Sequence, residues 1–187
     1  AFANYLHHTE YKHFMFRDFQ SRNIMIDNTK AISFIDYQWG MKGALQYDVA
    51  SFLWQAKANF SEARKASLLE HYIAEANKLL QHPIDTQVFT SQYYGFVLVR
   101  MLQVLWAYGF RWIFERKTHF LISIPWALRN IRHLMQDHNV GIIMPTFIWI
   151  LEQITSDEMI AQFEVPQATR ETPLRVTINS FSYKRGI

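Results

Sequence analysis

The chain has 187 residues, with 19 Lys plus Arg against 16 Asp plus Glu, half of its residues apolar, 16% aromatic and no cysteine. That length suits one domain with a sizeable core, and the apolar fraction is too high for a disordered chain. The lack of cysteine excludes a disulfide scaffold, a thiolate zinc site and a cysteine nucleophile, and a formal charge of +3 scattered along the chain is not the concentrated basic face of a nucleic-acid binder.

In chain order, His7, His8 and His13 come first, without zinc-like spacing to carboxylates, and read as helix-end and surface residues. Short apolar runs follow at Phe14 to Phe16, Ile24 to Ile26 and Ile32 to Ile35, and Asp27-Asn28-Thr29-Lys30 supplies turn chemistry between the last two, which predicts a hairpin. Asp48 reads as the N-cap of a helix from about Val49 to Lys57, and Ser61 as the cap of a segment carrying Leu69, Tyr72, Ile73, Ala76 and Leu80 at helical spacing. Asp85 or Thr86 caps a long helix to about Glu115. Pro125 sits at a first-turn position ahead of Ile131, Leu134 and Met135, and Pro145 repeats the device before Ile148 to Ile154. From Asp157 to Pro173 the pattern dissolves into a helix end and linker, and Leu174, Val176 and Ile178 then alternate with polar residues as in a strand.

Tyr93 to Phe114 is apolar enough to raise a membrane question, since about 20 such residues span a bilayer. It contains Arg100, Gln103 and Arg111, and each central Arg costs roughly 2.5 to 3.5 kcal/mol on insertion, so a buried core helix and a chain without membrane contact are expected. The aromatic abundance of this stretch is read as core packing. Ser21 and Ser180 have no adjacent base and no G-x-S-x-G elbow, which gives hydrolase chemistry little support.

The chemistry concentrates in the first forty residues. Phe16-Arg17-Asp18-Phe19-Gln20-Ser21-Arg22-Asn23 puts an Asp and an Asn five positions apart at the lip of a strand, and Phe34-Ile35-Asp36-Tyr37 ends the facing strand with a second carboxylate. Three oxygen ligands so placed suit phosphoryl transfer: one Asp accepts the proton of the attacking hydroxyl, while an Asn and another Asp hold magnesium against nucleotide phosphates. The spacing follows the kinase pattern H-R-D-L-x-x-x-N except at its first residue.

These strings, FRDFQSRNIMI and FIDYQWGMKGALQYDVASFL, with the later LQVLWAYGFRWIFERKTHFLISIPWALRNI, resemble the aminoglycoside phosphotransferase and choline kinase-like family, and most of all bacterial kinases for the anomeric position of N-acetylmuramate or N-acetylglucosamine. The likeness covers about residues 1 to 155. It implies an α+β, mainly α fold, the C-terminal lobe of a protein-kinase-like fold with a small β-hairpin catalytic region and a helical bundle. It also implies ATP and Mg as cofactors, Asp18 as catalytic base, Asn23 and Asp36 as magnesium ligands, and Asp48 as a structural helix-start residue. Arg17, Gln20 and Arg22 line the same loop as candidate substrate contacts.

Two departures stand out. Phe16 replaces a supporting His, a change that packing can absorb, and Trp39 stands beside Asp36, where it either crowds the metal or walls a sugar ring. The family's nucleotide-gripping lobe is expected upstream of Ala1, so the chain is expected to be a fragment at both ends and inactive alone.

The closing RVTINSFSYKRGI resembles the opening of the C-terminal domain of RapZ-type RNase adapters, which implies RNA or a sugar phosphate as a further partner, with Lys184 and Arg185 near an anion site. The expected organisation is a kinase-like lobe over 1–157, a linker over 158–173 and the first strand of a truncated domain over 174–187, in the cytoplasm. The rival to an amino-sugar kinase is a kinase-like binding or regulatory module, and an aminoglycoside or choline acceptor is a third option.

Overall fold

The computed structural model describes residues 2–7, 9, 12–55, 58–115, 118–141 and 144–164. The expected linker from residue 165 onward and the strand over 174–187 lie outside the described residues.

Two small antiparallel ladders open the fold. Strand β1 (Lys12–Met15) pairs with β4 (Met41–Ala44), Lys12 opposite Ala44 and Met15 opposite Met41. Strand β2 (Ile24–Ile26) pairs with β3 (Ile32–Phe34), Ile24 opposite Phe34. The hairpin turn forms as expected. Asp27 Oδ1 accepts from the Thr29 and Ala31 amides at 2.8 and 2.9 Å, and Lys30 takes the left-handed conformation that closes the loop. The partner of β1 was not legible in advance, because Met41-Lys-Gly-Ala shows no alternation.

Helix α1 (Phe2–His7) precedes the strands, and α2 (Leu45–Leu53) leaves β4 directly. This corrects the expected helix over 49–57. It starts four residues earlier, with Ala44 in the N-cap position, and Asp48 lies in its first turn with its carboxylate engaged elsewhere. Ser61 caps α3 (Glu62–Leu79) by accepting from the Arg64 amide, and Asp85 caps α4 (Thr86–Ile113) by accepting from Gln87 and Val88 at 3.0 Å. Pro125 and Pro145 start α5 (Ile124–Asp137) and α6 (Pro145–Ile154) as expected. The polar stretch read as running into a linker begins instead with a helix, α7 (Asp157–Phe163). Ser156 caps it, and Ile160 is buried against Leu121, Ile124 and Leu128.

The main core joins Val49, Ala50 and Leu53 of α2 to Leu69 and Ile73 of α3, to Phe89, Tyr93, Val97, Leu98 and Met101 of α4, and to Ile131 and Leu134 of α5. Where α1 crosses α4, Gly95 permits the approach, since a Cβ there would stand 2.8 Å from Leu6 Cδ2. By length and composition α4 is long and apolar enough to cross a membrane. Its first half supplies core residues, while its second half turns Trp106, Phe110 and Ile113 outward, with the Trp106 and Phe110 rings stacked at 5.5 Å. The fold class is α+β and mainly α: two short strand pairs set on a helical bundle, as in the C-terminal lobe of a protein-kinase-like fold.

Candidate active site

The loop between β1 and β2 rests on an aromatic floor. Phe16, Phe19 and Phe34 meet edge-on or tilted with ring centroids 5.9 to 6.1 Å apart, and Phe19 continues to Phe52 of α2 at 5.4 Å. Phe16 therefore holds the loop by packing. Asp48 holds it from the other side. Its two oxygens accept from the backbone N–H of Phe16 at 2.6 Å and of Arg17 at 2.9 Å, which pins the two residues before Asp18 to α2. Arg17 is thereby fixed in the left-handed region at φ 75°.

Asp18 sits in a ring of donors. Arg100 Nη2 of α4 donates to its Oδ1 at 2.9 Å, and Arg22 Nη2 donates to its Oδ2 at 3.0 Å. Gln20 Nε2 also donates to Oδ1. Burial by itself would raise the pKa of Asp18, but the hydrogen bonds and charges of Arg22 and Arg100 outweigh it and hold the carboxyl below the usual range.

Asn23 ends the short 3₁₀ turn Ser21–Asn23, is only 3% exposed, and donates through Nδ2 to the Asp18 carbonyl at 2.9 Å, with Asp18 Oδ2 a further 3.4 Å contact. Its amide nitrogen is thus committed, and the oxygen is the atom it has left to offer a ligand. Asp36 follows β3 in the left-handed conformation, φ 63°, with an exposed side chain. The Ile35 amide donates to the Asn23 carbonyl at 3.1 Å, so Asp36 comes one residue beyond the backbone partner of Asn23. Among the described residues no group of three or more His, Asp or Glu side chains is arranged to hold a metal. The Asn23 amide oxygen and the Asp36 carboxylate are hard oxygen donors of the kind magnesium takes, and they are the side chains here that could serve one.

An open cleft of about 720 Å³ runs beside Asp18, lined by Arg17, Trp39, Tyr47, Arg100 and Trp106 among others. Trp39 and Trp106 are 67% and 70% exposed. Beyond Arg100 a narrower cavity of about 360 Å³ carries Arg22, Ser51, Gln55, Tyr108 and Asn130. The structure thus joins Asp18, Gln20, Arg22 and Asn23 in one network. It leaves the Arg17 side chain exposed on the cleft, and it sets Asp36 at the hairpin's end without a hydrogen bond to Asp18.

Sequence reasoning missed two features. Asp48 is the clamp of the loop and not a helix cap, and Arg100 belongs to the site. The signal for Arg100 was present as a cation in an apolar helix, because a charge placed there needs a partner.

Residues 1–83 match the phosphotransferase enzyme family. The matched segment contains Asp18, Asn23, Asp36 and Asp48, so it holds the loop, the hairpin and the clamp, and it points to phosphotransferase activity in general terms. No curated protein matches the chain.

Proposed function

We propose that the chain carries the transfer site of an ATP-dependent kinase for a small hydroxyl acceptor, with an amino sugar as the candidate acceptor. The observation that carries this reading is the joining of Asp18 to Asn23 in one clamped loop inside the matched segment, with Asp36 one residue past the backbone partner of Asn23.

In this reading Asp18 accepts the acceptor's hydroxyl proton, and the loop's work is to hold that carboxylate where the hydroxyl arrives. Asn23 and Asp36 would hold magnesium, which neutralises charge on the nucleotide phosphates when bound. Trp39 and Trp106 offer flat apolar faces for a sugar ring at the cleft and Arg17 a donor for its oxygens, while Gln20 and Arg22 offer donors from the adjoining cavity.

The test is magnesium-dependent phosphorylation by the full-length protein that contains this sequence, with N-acetylmuramate, N-acetylglucosamine, an aminoglycoside and choline as acceptors. Asp18→Ala is expected to abolish transfer while circular dichroism stays unchanged; undiminished turnover would overturn the assignment of the base.

A second reading, a kinase-like module that binds and regulates without transfer, draws on the crowding of both Asp18 oxygens by donors. Binding of a sugar phosphate or RNA with no ATP turnover on any acceptor would favour it. Such binding through the segment after residue 164 is part of that proposal.

A further inference from the structure

Arg100 lies at the middle of α4, 82 residues from Asp18 in sequence, and its side chain is only 19% exposed. Two anchors fix it. Nε donates to Ser51 Oγ of α2 at 3.0 Å, and the guanidinium carbon stands 5.9 Å from the Tyr47 ring centroid. Tyr47 is itself tied to α4, since its hydroxyl donates to Gln103 Oε1 at 2.7 Å. A guanidinium is a rigid planar fork, so with one arm held on α2 the other arrives at a set place, Asp18 Oδ1 at 2.9 Å.

The closer partner on the opposite oxygen, from which Asn23 Nδ2 stands 3.4 Å away, differs in kind. Arg22 lies four residues along the same loop with its side chain 67% exposed, so its contact with Oδ2 can exchange with little loss of packing.

We propose that Arg100 is a positioning residue for the transfer step: it ties Asp18 Oδ1 to the helical bundle, so that Oδ2 is the oxygen that receives the acceptor's proton once Arg22 gives way. The proposal rests on the phosphotransfer reading above. In the step, the acceptor oxygen bonds to the γ-phosphorus, the bond from that phosphorus to the nucleoside diphosphate breaks, and the hydroxyl proton passes to Asp18 Oδ2. Arg100 keeps its protons throughout.

The experiment compares Arg100→Gln, Arg100→Lys and Ser51→Ala in the full-length protein, reading kcat and the KM for ATP. Arg100→Gln is expected to lower kcat roughly tenfold to a hundredfold, the scale of a small misplacement of a reacting group, with the KM for ATP little changed. Arg100→Lys restores part of kcat but not all of it, because an ammonium cannot hold Ser51 and Asp18 in one fork. Ser51→Ala keeps the charge and loses part of kcat, and it carries the test should Arg100→Gln not fold.

Wild-type kcat in all three variants, or an Arg100→Gln whose KM for ATP rises as much as its kcat falls, would overturn the positioning role while leaving the phosphotransfer reading standing. A wild-type protein that transfers phosphate to no acceptor would overturn both.

Discussion

Asp48 shapes the candidate site through the backbone. Both of its oxygens are given over to the backbone of Phe16 and Arg17, and its burial raises its pKa, an effect only partly offset by those two amides and the charge of Arg100. Asp48→Asn leaves one acceptor oxygen for two N–H groups, so one is orphaned, at a cost of about 1–3 kcal/mol that a urea midpoint should read, together with loss of turnover. Asp18 behaves in the opposite sense. Its carboxyl is held below 3.8 by Arg22 and Arg100 against the pull of burial. Its ionised form therefore stabilises the fold above that value, and the contribution disappears as pH falls through the folded-state pKa. Acid unfolding of Asp18→Asn should accordingly show a flatter limb below 3.8 than the wild type. Sequence alone pointed to Asp18, Asn23 and Asp36 because their spacing is local. It could not give Asp48 its role, because the amides it serves lie 31 and 32 residues away.

Among the elements, α3 and α5 are joined by a charged knot. Glu62 at the start of α3 accepts from Lys65 at 2.7 Å and pairs with His133 of α5 at 2.8 Å, and His133 also meets Asp137 at 2.6 Å. Lys65 in turn lies 3.5 Å over the Trp54 ring. His138 stacks on Tyr94 at 3.9 Å, and its Nε2 remains 3.6 Å from Glu62, too long for a hydrogen bond. Burial lowers the pKa of His138 below 6.5 despite the nearby Glu62 carboxylate. The unfolded chain then takes up a proton before the folded one does, so stability drops as pH falls from 6.5 toward the folded value. His138→Phe keeps a ring on Tyr94 and should reduce that loss, as denaturant midpoints on either side of pH 6.5 would show. Helix starts were the most legible elements because Ser61, Asp85, Pro125 and Pro145 act within their own turn. Strand β4 and helix α7 were not, since one has no alternation and the other buries a single residue, Ile160.

For the molecule as a whole, the bundle is the platform and the loop is its cargo. Leu98 is fully buried where α4 meets the core, and Leu98→Ala should cost about 2–5 kcal/mol in a denaturation experiment. On the proposed phosphotransfer reading, nucleotide with magnesium should act the other way in the full-length protein, adding about 2.7 kcal/mol at a hundredfold excess over its Kd, and Asn23→Ala or Asp36→Ala should remove the magnesium-dependent part of the thermal shift. Arg17 is held in a backbone conformation that suits glycine better. A long side chain at φ 75° carries strain of about 1–3 kcal/mol that glycine at the same position would not. Arg17→Gly is thus expected to melt at the same or a higher temperature and to turn over more slowly. Selection for heat resistance alone would drift toward that variant, and a laboratory lineage evolved without an activity screen would fold better while forgetting its trade.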